Sequence, residues 1–235
     1  MGKILNGFNS DQIINGFNVG KDYVIKVKRG GQIIDYKLEL VNSPIPNVQS
    51  TLYEENGKKI GYIKLEIFSL DSYKKFKENL ESLEYDSLII DLRYNSGGEQ
   101  RNLEQIASLF LGKDKVIAID HYKDKDKIIK AKGEKTADYP IVILVNKGTA
   151  SCSEILTLAL KEGCNATVIG TQTYGKGVGQ TVKRTENYYY KITSMTWTSP
   201  SGMSINKVGI TPDIEVKSIP GKDLQLEKAI EYLSK

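Results

Sequence analysis

The chain has 235 residues, 40% of them hydrophobic and 26% charged, so it can bury one large core or one core plus a small module. Its formal net charge is +4, and its basic residues are scattered among acidic ones, which argues against nucleic acid as a partner. No apolar run approaches the ~20 residues that span a bilayer, so we expect no membrane segment. No apolar stretch follows Met1, so we expect no signal peptide in this sequence.

The first forty residues predict a small module of one helix and one hairpin. Ser10–Asn15 has the pattern of a short helix with a capping serine. Two β-patterned runs follow, Tyr23–Lys28 and Gln32–Leu40, and the Arg29–Gly31 segment between them is a hairpin signal. Two prolines within Asn42–Asn47 interrupt any regular structure and mark the best domain boundary.

Beyond this boundary, strands alternate with helices, which is typical of a layered α/β domain. We therefore expect a partial module over residues 1–47 and a larger α/β domain over residues 48–235. The predicted strands are Ile60–Phe68, Ser87–Leu92, Val116–His121, Ile141–Val145 and Thr167–Gly170, with a hairpin over Val178–Thr198. The predicted helices are Leu70–Leu83, Leu103–Leu111 and Ser151–Lys161.

The cysteines and the single histidine exclude several kinds of site. Cys152 and Cys164 lie near opposite ends of one predicted helix, roughly 18 Å apart, which is too far for a disulfide. No cluster of cysteine and histidine has metal-ligand spacing, so we expect no metal and no cofactor. With one histidine in the chain, a serine–histidine–aspartate enzyme is an unfavourable hypothesis, whereas a serine paired with a neutral lysine is a known alternative for acyl transfer.

Ser151 is the candidate nucleophile because it follows a buried strand and a tight turn and begins an apolar helix. Helix N–H groups and the helix dipole favour negative charge at such a junction. An oxyanion formed by attack of Ser151 on a carbonyl group would meet the N–H of Cys152. The alternative interpretation is that Ser151 only caps the helix.

Lys176 is the candidate general base, isolated between Gly175 and Gly177. An amine accepts a proton at neutral pH only when its neutral form is favoured, and desolvation among small or apolar residues has that effect. Gln180 lies four residues further on and could orient the amine through an uncharged hydrogen bond. An ordinary exposed turn remains the alternative for this segment.

A third segment, Asp91–Gly98, runs from a buried strand into a loop that ends in paired glycines. Such a loop can present backbone N–H groups to a ligand, which suits a second oxyanion donor. A plain strand-to-helix connection, with Asp91 and Arg93 paired to each other or to neighbours, is the alternative. Two turn sequences, Thr198–Gly202 and Gly209–Asp213, support no function on their own.

Four stretches, in this order, resemble motifs of the C-terminal processing or tail-specific proteases, serine peptidase family S41. The family patterns are Asp-Leu-Arg-x-Asn-x-Gly-Gly, then Asn-x-Gly-Ser-Ala-Ser-Ala-Ser-Glu-Ile, then Thr-Phe/Tyr-Gly-Lys-Gly-x-x-Gln, then Pro-x-Gly-x-x-Ile…Gly-Ile-x-Pro-Asp. The second pattern is matched with Thr149 and Cys152 substituted. The matching stretches are Asp91–Gly98, Asn146–Ile155, Thr173–Gln180 and Pro200–Asp213.

This resemblance implies a fold related to the Clp protease and crotonase folds, and cleavage of protein or peptide substrates near an apolar C-terminal tail. It implies no metal, no nucleotide and a location outside the cytoplasm. By position it assigns Ser151 as nucleophile, Lys176 as general base, Gln180 as the orienting residue, and the N–H groups of Cys152 and Gly97 as the oxyanion hole, with Gly98 as fallback.

The N-terminal module departs from the family, because residues 2–41 resemble only the second half of a PDZ domain. One alternative is therefore a catalytically silent peptide-binding or scaffold protein.

Another alternative pairs Cys152 as nucleophile with His121, although His121 lies at the end of a different predicted strand. Formation of a homo-oligomer stays open.

Overall fold

The computed structural model describes residues 20–39, 47–136, 138–184 and 189–235. The chain forms two compact units, Met1–Pro46 and Asn47–Lys235. The predicted helix at Ser10–Asn15 lies outside the described residues, as does nearly all of the proline-containing stretch before Asn47.

An antiparallel hairpin forms the described part of the first unit. Strand β1 covers Asp22–Arg29 and strand β2 covers Gln32–Glu39, paired along their whole length. Gly30 and Gly31 join them with φ of 58° and 82°. Two consecutive left-handed residues are what a two-residue type I′ turn requires, and glycine adopts that conformation without steric cost. The predicted hairpin is confirmed.

The described part of the second unit contains ten strands and four helices in a mixed α/β fold. In chain order these are β3 (Val48–Glu55), β4 (Lys58–Leu65), α1 (Ser72–Glu81), β5 (Ser87–Asp91), α2 (Gln100–Leu111), β6 (Val116–His121), β7 (Asp126–Lys130), β8 (Ile141–Val145), α3 (Cys152–Cys164), β9 (Thr167–Gly170), β10 (Val178–Arg184), β11 (Tyr189–Thr198), β12 (Ile214–Glu215) and α4 (Leu224–Leu233).

Six strands form the central sheet, in the order β12-β9-β8-β5-β4-β3. Strand β3 pairs antiparallel with β4, and every other neighbouring pair is parallel. Strands β5 and β8 are buried at every residue, as expected for parallel strands covered on both faces. Their apolar runs are what allowed the sequence to predict them.

Helices cover both faces of this sheet. Because successive strand residues point to opposite faces, Ile90 and Ile143 pack with α1, α2 and α3, whereas Ile89 and Val142 pack with α4. The three helices on the first face bury the larger core, which includes Phe76 of α1 and Phe110 of α2 with their rings edge to face.

A second sheet, ordered β10-β11-β6-β7, is antiparallel throughout. Ile117 of β6 and Trp197 of β11 belong to the larger core, so this sheet packs on the face of the central sheet that α1, α2 and α3 cover. Strand β10 is an edge strand of the second sheet. The alternating charges at residues 123–127 fall at the β6–β7 connection and the first residues of β7.

The site is positioned by the carboxyl ends of two neighbouring parallel strands. Strands β5 and β8 are paired, so the loops that follow them emerge side by side at one edge of the sheet. The backbone of the two loops is joined where Ala150 N–H donates to the Asn95 carbonyl at 3.0 Å.

Candidate active site

Ser151 adopts a strained backbone conformation at the entrance to α3. Its φ of 56° and ψ of −120° fit the second residue of a type II′ turn, which Ser153 N–H closes on the Ala150 carbonyl at 3.2 Å. Glycine normally occupies that position, and strained non-glycine residues cluster at functional sites. The strand–turn–helix junction predicted for Ser151 is therefore present, with the helix N-terminus directed at it.

Glu154 lies in the first turn of α3 and is fully buried. Its Oε2 accepts hydrogen bonds from Ser151 N–H and Lys176 N–H, both at 2.9 Å. Its Oε1 accepts from Gly175 N–H at 2.7 Å and from the Thr173 hydroxyl at 2.5 Å. A single carboxylate therefore holds the main chain of the candidate nucleophile and that of the candidate base.

Lys176 lies on a segment whose flanking residues have to be glycine. A Cβ on Gly175 would come within 2.7 Å of the Gly209 nitrogen, and Gly175 has φ of 86°. A Cβ on Gly177 would come within 2.6 Å of the Asn206 Cβ. The Lys176 carbonyl accepts from the Trp197 indole N–H at 3.0 Å, which fixes the segment on the other side. The Gly-Lys-Gly segment is therefore packed on both flanks.

Cys152 is buried, and its thiol donates to the Gly98 carbonyl at 3.3 Å. Burial raises the pKa of Cys152 to about 11, although hydrogen bonds at the Gly98 backbone and the Ser151 side chain, and the charge of Lys176, oppose that rise. A thiol with this pKa is protonated at neutral pH and is a poor nucleophile. His121 instead lies beside Asp126 and Thr198, with Nδ1 2.8 Å from Oδ1 and Nε2 3.0 Å from Oγ1, so the cysteine–histidine alternative loses its support.

The glycine loop contacts the start of α3. A Cβ on Gly97 would come within 2.9 Å of the Ser151 Cβ and 3.0 Å of the Cys152 nitrogen. However, Gly97 N–H donates to the buried Asn95 Oδ1 at 2.9 Å, so this donor is already engaged.

Gly98 presents a different N–H group. Phe68 N–H donates to the Gly97 carbonyl, and Glu99 N–H donates to the Phe68 carbonyl. Because trans peptides point C=O and N–H in opposite directions, both the N–H and the C=O of Gly98 face away from Phe68. The Gly98 carbonyl meets the Cys152 thiol there, and Gly98 N–H makes no hydrogen bond within the described residues.

Gln180 is the one predicted site residue that does not contact the others around the start of α3. It lies on β10 opposite Thr193, next to an irregularity in the strand register, and its side chain is exposed. In the part of the chain that the structure describes, no hydrogen bond joins its amide to Lys176. The other four predicted residues, Ser151, Cys152, Gly97 and Lys176, meet around the start of α3.

Two buried polar residues of this site carry roles that the sequence reasoning did not assign. Glu154 has a usable signal, since a serine followed three residues later by glutamate is a capping-box pattern. Asn95 is fully buried, donates to the Leu65 carbonyl at 2.8 Å, and accepts from Ser153 Oγ at 3.0 Å through its own carbonyl. No local pattern predicts those partners, because they come from distant segments.

A second charged network lies at the end of β5. The buried carboxylate of Asp91 accepts a hydrogen bond from Arg93 Nη2 at 2.6 Å and another from the Tyr62 hydroxyl at 2.8 Å. Arg93 also donates to both carboxylate oxygens of Asp223, at 2.6 and 2.8 Å, and Asp223 caps α4 by accepting from Leu226 N–H. The pairing of Asp91 with Arg93, which the sequence left as an alternative for this segment, is present and extends to the C-terminal helix.

Among the described residues, no group of three or more histidine, cysteine, aspartate or glutamate side chains could hold a metal ion. No helix within the described ranges is long and apolar enough to cross a membrane.

Comparison with known proteins assigns this arrangement to a family. The sequence pattern of peptidase family S41 matches residues 59–216, a range that includes every site residue above. In Bacillus subtilis (strain 168), carboxy-terminal processing protease CtpB is 32% identical over 206 residues, covering 84% of this chain and 43% of the relative. Carboxy-terminal processing protease CtpA of the same strain is 33% identical over 224 residues, covering 92% and 47%.

A solved structure supports the same relationship. The photosystem II D1 C-terminal processing protease superposes with a TM-score of 0.67 at 25% identity, over 92% of this chain and 61% of that chain. The chain thus spans about half the length of the curated relatives and three-fifths of that solved structure.

Proposed function

The chain belongs to peptidase family S41, and from that premise we propose that it is a serine endopeptidase that cleaves proteins through a Ser151–Lys176 dyad. The observation that carries the proposal is the Glu154 carboxylate, which accepts from the main-chain N–H groups of both residues at 2.9 Å. A shared acceptor fixes the two segments relative to each other, and a nucleophile needs its base at a fixed position.

In the first half of the reaction, Ser151 Oγ attacks the scissile carbonyl carbon while the Lys176 amine takes the hydroxyl proton. The carbonyl oxygen becomes an oxyanion that accepts hydrogen bonds from Cys152 N–H and a loop glycine. We assign the second donor to Gly98 rather than Gly97, because Gly97 N–H is engaged by Asn95. Lys176 then returns the proton to the leaving amine, and an acyl-enzyme remains.

In the second half, water attacks the acyl-enzyme and Lys176 again takes a proton. Lys176 returns that proton to Ser151 Oγ as the ester bond breaks, which restores the serine hydroxyl and releases the acyl part of the substrate as a carboxylic acid. In this scheme Gln180 orients the Lys176 amine once substrate is bound. Its exposed position on edge strand β10 leaves it accessible to a bound peptide.

The substrate proposed is a protein with an apolar C-terminal tail, in line with the carboxy-terminal processing named for the relatives. We further propose that residues 1–47 act as a partial PDZ-like module and residues 48–235 as a core layered like the Clp protease and crotonase folds. The proposed location is outside the cytoplasm.

The test is cleavage of a quenched fluorogenic peptide with an apolar tail by wild type, Ser151→Ala and Lys176→Ala. Each variant is expected to lose at least about 10³-fold in kcat while keeping its circular dichroism spectrum. One substitution removes the attacking hydroxyl, and the other removes the amine that takes its proton. A fluorophosphonate probe, which phosphonylates activated serines with loss of fluoride, is expected to modify Ser151 in wild type and not in Lys176→Ala.

Matched controls are Ser82→Ala and Lys113→Ala, which change exposed residues distant in sequence from the site. Both are expected to cleave the peptide at the wild-type rate. Wild-type kcat in Ser151→Ala or Lys176→Ala would overturn the dyad.

A further inference from the structure

Tyr94 is held in a backbone conformation that its side chain disfavours. Its φ is 64°, in the left-handed region where glycine and asparagine are the usual residues and bulky residues are outliers. The residue is also 68% exposed to solvent. The ring therefore gains little from core packing while its main chain is strained.

Surrounding contacts impose this conformation. Tyr94 N–H and Gly148 N–H donate to the same buried oxygen, Asn146 Oδ1, at 3.0 and 2.9 Å. A Cβ on Gly148 would come within 2.9 Å of the Tyr94 Cα and 3.0 Å of a carbon of its ring, so Tyr94 lies directly against the turn at Gly148. The strain is fixed by packing on the turn that leads to Ser151.

A second exposed tyrosine is attached to the same turn. Tyr174 N–H donates to the Thr149 carbonyl at 3.0 Å, and its side chain is 67% exposed. Tyr94 and Tyr174 therefore both touch the segment from Asn146 to Thr149, immediately before the candidate nucleophile. Tyrosine offers a large contact area with little rotamer entropy to lose, and it is enriched where proteins bind partners.

We propose that Tyr94 is a specificity-determining residue, whose ring contacts an apolar side chain of the polypeptide bound at Ser151. The inference rests on the proposed function for the identity of the bound polypeptide, and it extends that function by naming the contact. Glycine or asparagine would satisfy the backbone at this position equally well. The aromatic ring is what tyrosine adds at this position over glycine or asparagine. Within the described residues, the Tyr94 hydroxyl makes no hydrogen bond.

The experiment measures binding in the Ser151→Ala background, where the peptide cannot be cut. The probe is a fluorescein-labelled dodecapeptide with three apolar residues at its C-terminus, and its partner peptide has three serines there. Tyr94→Asn is expected to weaken binding of the apolar peptide about 10-fold and that of the serine peptide less than twofold. Tyr94→Phe, which keeps the ring, is expected to bind both peptides like the parent.

The Tm of Tyr94→Asn separates a role in binding from a purely structural role, because loss of a structural role would lower the Tm. Because asparagine tolerates a φ of 64°, Tyr94→Asn is expected to raise the Tm by about 2–4 °C while binding weakens. Asp114→Gly, at another left-handed position with φ of 67°, is the control that relieves strain without removing a ring, and its affinity should not change. Tyr122→Asn, which removes an exposed ring elsewhere, should leave affinity unchanged too.

Unchanged affinity in Tyr94→Asn would overturn the inference, and so would a fall in Tm together with affinity. The proposed function is tested separately by cleavage. If wild type binds the apolar peptide through Tyr94 but never cuts it, the dyad fails and this inference stands. If wild type cuts the peptide and Tyr94→Asn binds it normally, the inference fails and the dyad stands.

Discussion

Glu154 and Asp91 are both fully buried carboxylates, yet they are stabilised by opposite means. Glu154 accepts four hydrogen bonds from uncharged donors, three of them main-chain N–H groups. Asp91 is paired with the guanidinium of Arg93 and accepts from the Tyr62 hydroxyl. Burying a carboxylate is costly in either surrounding, so the choice of partner indicates what each network holds in place.

The donors around Glu154 belong to the segments that carry the candidate nucleophile and base, so its carboxylate fixes main-chain geometry at the site. The cation beside Asp91 instead reaches Asp223, which caps the helix that covers the other face of the sheet. One buried carboxylate therefore stabilises the geometry of the site, and the other stabilises the fold. Substitutions can test whether activity and stability separate in that way.

We expect Arg93→Met to cause a large loss of stability. It leaves Asp91 buried without its cation and frees the helix cap at Asp223, and breaking a buried pair by removing one partner costs about 3–5 kcal/mol. Urea unfolding followed by circular dichroism measures this loss. Arg101→Met, an exposed arginine on α2, is the control and is expected to change the free energy of unfolding by less than about 0.5 kcal/mol.

Glu154→Gln tests whether the Glu154 carboxylate is needed for activity. Glutamine replaces one acceptor oxygen by an amide NH₂ that faces two donors, so the main chain at Ser151 and Lys176 must shift. We expect kcat/KM for the apolar peptide to fall about 100-fold, equivalent to about 2.7 kcal/mol of transition-state stabilisation, in a protein that remains folded.

Glu162→Gln is the matched control on the same helix, because Glu162 also accepts from a main-chain N–H, that of Ser201, but lies exposed near the other end of α3. It is expected to keep wild-type kcat/KM. If Arg93→Met, assayed under conditions where it is folded, loses as much kcat/KM as Glu154→Gln, the two carboxylates do not have separate roles in the site and the fold.

The sequence predicted the strongly patterned parts of this fold. Strands β5 and β8 are continuous apolar runs between turn signals, and α3 begins at a capping pattern. Strands β3, β7 and β12 and helix α4 were not predicted. Strand β3 lies at a sheet edge and is mostly exposed, and β12 has only two residues, so neither leaves an apolar pattern.

The candidate site was predictable as a set of segments but not as a network. The Gly-Lys-Gly and Gly-Gly patterns identified the segments because close backbone approach requires glycine. The engagement of Gly97 N–H by Asn95 could not be read from spacing, because it depends on the path of a turn. The strain at Tyr94 was equally hidden, since a left-handed tyrosine follows from contacts with the distant Asn146–Gly148 turn.

The charge of Asp223 is expected to make a small, pH-dependent contribution to the free energy of unfolding. The hydrogen bond from Arg93 lowers the pKa of Asp223 below its ordinary value of 3.8, so the ionised form is favoured in the folded state. That contribution is present above about pH 4 and is lost as pH falls through the lowered pKa. Asp223→Asn keeps an acceptor for Leu226 N–H but removes the charge and one of the two oxygens that accept from Arg93. Since Asp223 is 44% exposed, we expect wild type to exceed this variant by only about 0.5–1 kcal/mol at pH 7. Urea unfolding from pH 7 to pH 2 should show that difference shrinking toward zero, and a difference that stays constant would mean that the charge on Asp223 does not stabilise the helix.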